Sequence, residues 1–151
     1  MKKFQELIDK NIIKEEKIEF SLIKKILIKG HRGIKSSSLL LKDGDFEGSY
    51  ELAYEAMLLA GRALVFSFDF RPRAAGSHKI VIDFVKEVFP HEHSALIFKF
   101  NKMRKSRHYL IYGAGLAISE TEAKNAISSA ESFIKEVEKI IEKKNPQKKL
   151  I

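Results

Sequence analysis

The chain has no cysteine, so disulfides and thiolate metal sites are excluded. With only three prolines and eight glycines in 151 residues, long stretches run without a helix breaker, which favours helices. The start, MKKFQELIDK, is charged from its second residue and has no apolar core of a signal peptide. The most apolar run, Ala53 to Phe68, is interrupted by Glu55, Gly61 and Arg62 and is too short to span a bilayer. A cytoplasmic protein without a membrane span is expected. There is no Gly-rich loop ending in Lys-Ser/Thr, no GxSxG and no HExxH. Paired carboxylates at helical spacing on an apolar stripe are also missing, which argues against a di-metal bundle enzyme. Neither a metal nor a cofactor is expected.

Acidic residues are absent from one long stretch. Between Glu92 and Glu120 none occurs, while Lys99, Lys102, Arg104, Lys105 and Arg107 all fall inside it. With a net charge of +8 overall, this segment concentrates a field that attracts phosphates. A run of lysines alone is equally well read as a solvated face. The stretch LIFKFNKMRKSRHYLIY, residues 96–112, adds something a solvated face does not explain. Drawn as a helix, it puts Ile97, Phe100, Arg104, Arg107, His108 and Ile111 on one side and Lys99, Lys102, Lys105, Ser106 and Tyr109 on the other. Two arginines and a histidine therefore lie on the apolar stripe. A guanidinium there needs an internal acid, a subunit contact or an anionic ligand, because isolated charge is costly to desolvate.

The rest of the chain is dominated by helical periodicity. The spacing predicts a short helix from Lys2 to Asp9, whose Phe4, Leu7 and Ile8 could lie as a lid on a larger body. From Ser21 to Lys42 a stripe runs through Ile23, Ile26, Leu27, Gly30, Ile34, Ser37, Ser38 and Leu41, with small residues that permit close approach of a neighbouring helix. KDGD at 42–45 is a turn signal. Residues 46–68 form a helix whose Tyr50 and Tyr54 read as core residues with satisfied hydroxyls. Arg62 falls off the main stripe and is expected to be exposed or interfacial. A loop over 69–76 carries Arg71 and Arg73, and Ser77 caps a helix from His78 to Phe89. His78 reads as a structural residue, since no carboxylate or second histidine stands at i+4. His91 and His93, two apart in a loop, are a weak metal signal better read as a solvated turn. After a break at Gly113-Ala114-Gly115, Ser119 and Glu122 have the spacing of a capping box for a helix over 120–144. Residues 145–151 read as a frayed basic tail. No linker divides the chain. The expected architecture is an all-α antiparallel bundle of four to five long helices in one domain, 1–151, with its core over 20–142.

At MRKSRHYLIYG, followed by ISETEAKNAISSAESFI, the sequence resembles the signature region of HEPN domains. SYELAYEAMLLAGRALVFSFDFRPRAAGSHKIVIDFV resembles the second and third helices of the same family, including its Gly/Ser-His helix start. The resemblance implies a helical bundle that forms a homodimer, with motif helices facing across a cleft. It also implies RNA or a nucleotide as ligand, a place in toxin–antitoxin or defence modules, and a cognate nucleotidyltransferase as partner. Many members are metal-independent endoribonucleases, using an arginine and, after four to six residues, a histidine. The arginine would hold phosphate and the histidine would move a proton at the ribose 2′-hydroxyl. Here the motif is altered. Arg104 and His108 enclose three residues, whereas Arg107 is followed after four by Tyr112. The expected site is therefore Arg104 and Arg107 on phosphate, His108 as acid/base and Tyr112 as an orienting or stacking group. A phosphate-binding regulatory member, an active ribonuclease and a purely structural dimer with arginines as its contacts are the three readings this leaves.

Overall fold

The computed structural model describes residues 2–73, 78–111, 117–148 and 150, the side chains of residues 2, 3, 108 and 111 excepted. Among them six helices form: α1 (Lys2–Asp9), α2 (Phe20–Asp43), α3 (Phe46–Ser67), α4 (His78–Val88), α5 (Ser94–Ile111) and α6 (Glu120–Lys144). The all-α bundle is as the periodicity predicts, with helix ends within a residue or two of those expected. Two short strands accompany it: β1 (Ile13–Glu15) and β2 (Phe70–Pro72), which pair antiparallel with Lys14 opposite Arg71. The strand β2 falls within the loop expected over 69–76, because three residues are too few to show alternation. Expectations for Ser77 as a cap and for Gly113-Ala114-Gly115 fall outside the described residues.

Local signals set the helix ends. Gly44 ends α2 at φ 85°, a left-handed conformation that glycine adopts without steric cost, and its N–H closes on Leu40 and Leu41 carbonyls. Asp45 then accepts from the Gly48 N–H at 2.9 Å and starts α3. At α6 the capping box is complete: Ser119 Oγ accepts from Glu122 N, and Glu122 Oε1 accepts from Ser119 N, each at 3.1 Å.

Helix α3 is the axis of the fold, packing on α2, α4, α5 and α6. Its buried residues run from Ser49 to Phe66, and Tyr54, Phe84, Phe100 and Phe133 are among the largest fully buried side chains. Phe100 of α5 meets Phe133 of α6 edge-on, with centroids 4.8 Å apart. The small residues of α2 are used inside the chain. A Cβ at Gly30 would stand 3.0 Å from Ile134 Cδ1, and Ser37 Oγ donates to the Ser49 carbonyl at 2.5 Å. Helix α1 does lie as a lid: Phe4 stacks on Phe84 at 4.4 Å over Val65. The tail differs from expectation at Leu150, which is 5% exposed and part of the main core cluster. An isolated leucine after a lysine run carries no periodic signal, so only the packing reveals it. Among the described residues no helix is long and apolar enough to cross a membrane.

Candidate functional site

Helix α5 turns its arginines toward α3. Ile97, Phe100 and Met103 anchor it in the core, and Lys99, Lys102 and Lys105 are exposed, as the helical projection predicts. Arg104 and Arg107 are half-buried between these extremes. Arg104 Nε donates to Asn101 Oδ1 at 3.1 Å, a contact within its own helix. Arg107 reaches across to α3: its Nη2 lies 2.7 Å from Glu55 Oε1, and Cζ sits 5.7 Å from the centroid of the Tyr54 ring.

The pairing of Arg107 is incomplete. Among the described residues its Nε is buried and has no hydrogen-bond partner. A guanidinium presents Nε and one Nη as a fork that matches two oxygens of a carboxylate or phosphate. Glu55 satisfies only one prong. A buried donor without an acceptor is uncommon in folded proteins, and each instance calls for a reason.

Behind the arginine stands a second pair. The Tyr54 hydroxyl is 2.9 Å from His78 Nδ1. Tyr54 is fully buried, and burial pushes its hydroxyl well above the usual phenol range, Arg107 opposing only in part. It therefore stays a neutral hydroxyl at any ordinary pH, and the imidazole tautomer sets which of the two groups donates. His78 itself is held below its ordinary pKa by burial first, then by the charges of Arg62 and Arg107, with Arg104 adding to them and Glu55 opposing. His78 is thus a neutral imidazole in the field of three arginines. Glu55 and Arg62 project from one flank of α3, two helical turns apart.

Among the expected site residues, Arg104 and Arg107 stand together at this cluster. His108 has its backbone in α5, but its side chain lies outside the described residues, as does all of Tyr112. Three members escaped the sequence reading. His78, expected as a structural residue, has Tyr54 as a hydrogen-bond partner that the spacing does not reveal, and Arg62 acts on it electrostatically. Glu55 stands in the sequence as an interruption of the apolar run Ala53 to Phe68, and a lone acid in such a run is the signal that marks it. Tyr54 has the satisfied hydroxyl expected of it. Arg71, by contrast, serves the strand corner, donating from Nε to Glu16 Oε2 at 2.6 Å. His93 also proves partnered, with Nε2 3.3 Å from Glu136 Oε2. Among the described residues no group of three histidine or acidic side chains could hold a metal ion.

This geometry sits within a stretch that matches a known family. Residues 23–140, more than half of the chain, match the HEPN domain. The chain belongs to the HEPN family. No curated protein matches it closely enough to count as a relative. Within this HEPN domain the match runs from the second turn of α2 almost to the end of α6, so it takes in every residue of the Arg107 cluster. Family membership supports a helical domain whose role relates to nucleotides or RNA. It leaves the chemistry of the cluster to be argued from the residues themselves.

Proposed function

We propose that this HEPN domain is a cytoplasmic binding and regulatory protein of a toxin–antitoxin or defence module, taking the phosphate of RNA or of a nucleotide at Arg107. The observation that carries the reading is the half-filled guanidinium fork, with Nη2 on Glu55 and Nε buried without an acceptor. A phosphate oxygen satisfies such a donor, and charge-assisted bonds of this kind are about twice as strong as neutral ones. Arg104 and Arg62 add charge. With Tyr54 donating to Nδ1, His78 would offer its Nε2–H to an anion as a neutral donor. His108, four residues after Arg104 in the sequence, is proposed as the acid/base group and Tyr112 as an orienting or stacking group. The exposed Lys99, Lys102 and Lys105 lie on the other side of α5 and add to the positive field that draws an RNA toward the domain.

The protein is expected to act as a homodimer and with a nucleotidyltransferase partner. Gly30 and Ser37 of α2 are covered inside the chain, and the proposed pairing contact is on α5, where Phe98 is 71% exposed. Phe98→Asp should then yield a monomer by sedimentation. The functional test is an RNA-binding and cleavage assay in EDTA, with wild type beside Arg107→Ala. Salt-sensitive binding by the wild type, lost in the variant and without strand scission, is the expected result. Scission that survives the chelator and vanishes in Arg107→Ala would make the protein a metal-independent ribonuclease, with His108 as its acid/base group. Unchanged RNA affinity in Arg107→Ala would sink the site.

A further inference from the structure

The acid that pairs with Arg107 is placed where a ligand phosphate would have to go. Glu55 and the proposed phosphate compete for one edge of one guanidinium, and Glu55 is a permanent part of the chain. We infer that Glu55 is the site's built-in competitor, and that it makes the site select terminal phosphomonoesters over internal phosphodiesters. This rests on the phosphate-binding reading above.

The argument is one of exchange. In the free protein the Glu55 carboxylate, carrying one negative charge, holds Arg107 Nη2 at 2.7 Å. An internal phosphodiester also carries one negative charge. If it displaces Glu55, one monoanion replaces another on the same cation and the released carboxylate stays nearby to repel it. A terminal phosphomonoester is different: its charge is about −1.5 to −2 at neutral pH, and it has three acceptor oxygens. It can span Nε and Nη2 together, which the carboxylate does not do here, and still offer an oxygen to the other donors. Charge accounting agrees. Arg62, Arg104 and Arg107 contribute three positive charges that act on His78, and Glu55 removes one. A dianion neutralises what remains, and a single diester does not.

Glu55 can take part in such an exchange without disturbing the core. Its side chain is 38% exposed, so a carboxylate released from Arg107 has solvent to enter. Tyr54 and Phe100 are fully buried and pack on each other, with ring centroids 5.7 Å apart. Glu55→Gln keeps the shape, removes the charge and weakens the hold on Nη2. The substitution should therefore open the site to ligands the native acid turns away.

The test uses one five-nucleotide RNA with and without a 5′-phosphate, its affinity measured by calorimetry at fixed moderate salt and pH 7.5. The wild type is expected to bind the phosphorylated oligomer at least tenfold more tightly than the hydroxyl-terminated one. In Glu55→Gln both should bind more tightly and the gap should shrink severalfold, because the diester gains most from loss of the competitor. If Glu55→Gln binds both oligomers more weakly or unchanged, Glu55 is a positioning group for Arg107 and the inference is wrong. An equal gain on both oligomers overturns the selectivity. Arg107→Ala separates the two levels of the argument: loss of binding there with no effect of Glu55→Gln defeats only the inference. If Arg107→Ala binds like the wild type, the phosphate site itself fails.

Discussion

Arg107→Ala decides between an arginine that holds the fold together and one kept for a ligand, and the structure sets the size of the effect. The ion pair with Glu55 joins side chains that are 28% and 38% exposed. At that exposure solvent screens it, and such pairs contribute about 0.2–1 kcal/mol. The guanidinium over the Tyr54 ring, at 5.7 Å, adds about 0.5–1 kcal/mol. Against these stands the buried Nε without an acceptor, a defect costing about 1–3 kcal/mol that truncation removes. Taken at their midpoints the terms offset to within about 1 kcal/mol, which for a domain of this size is a shift of at most about 2–4 °C in melting temperature. Binding behaves differently, because charge-assisted hydrogen bonds to the ligand are worth about 1.5–3 kcal/mol, or roughly tenfold to a hundredfold in affinity. Differential scanning fluorimetry and calorimetric titration with the 5′-phosphorylated oligomer on the same two proteins measure both. A near-constant melting temperature with affinity reduced at least tenfold is expected. A drop of about 10 °C or more would show that Arg107 is a structural tie and refute the reasoning.

Other substitutions probe the frame around the site. Gly61→Ala gains about 1 kcal/mol of helix propensity, but its Cβ would stand 2.5 Å from Val81 Cγ1, and Val81 is fully buried. Overpacking of about 1–3 kcal/mol should prevail, lowering the urea midpoint; a rise would mean α4 can shift away from α3. Ser119→Ala breaks the capping box of α6 and should cost about 1 kcal/mol in urea unfolding with no change in ligand affinity. For His78 the sign follows from its depressed pKa: the unfolded chain takes up the proton first, near about 6.5, so stability falls as pH drops below that value and is unaffected above it. His78→Gln should therefore lose less stability than the wild type between neutral and mildly acid pH; parallel curves would count against the burial and charge acting on His78.

The sequence by itself determined the helices and their ends. Nearest-neighbour chemistry suffices for that: apolar residues at intervals near 3.6, a glycine able to take φ 85° at Gly44, and a serine and glutamate three apart at Ser119. It also told that Arg104 and Arg107 sit on the inner side of α5, since that is a property of one helix. What they meet there is not. Which flank of α3 faces Arg107, and at what height, depends on how two helices separated by α4 slide and rotate against each other. Only the tertiary packing decided that Glu55 would take one prong of Arg107 and that Tyr54 would reach His78, 24 residues away. The pairing of β1 with β2 and the burial of Leu150 are of the same kind. Periodicity records which face of an element avoids water, and says nothing about which other element covers it.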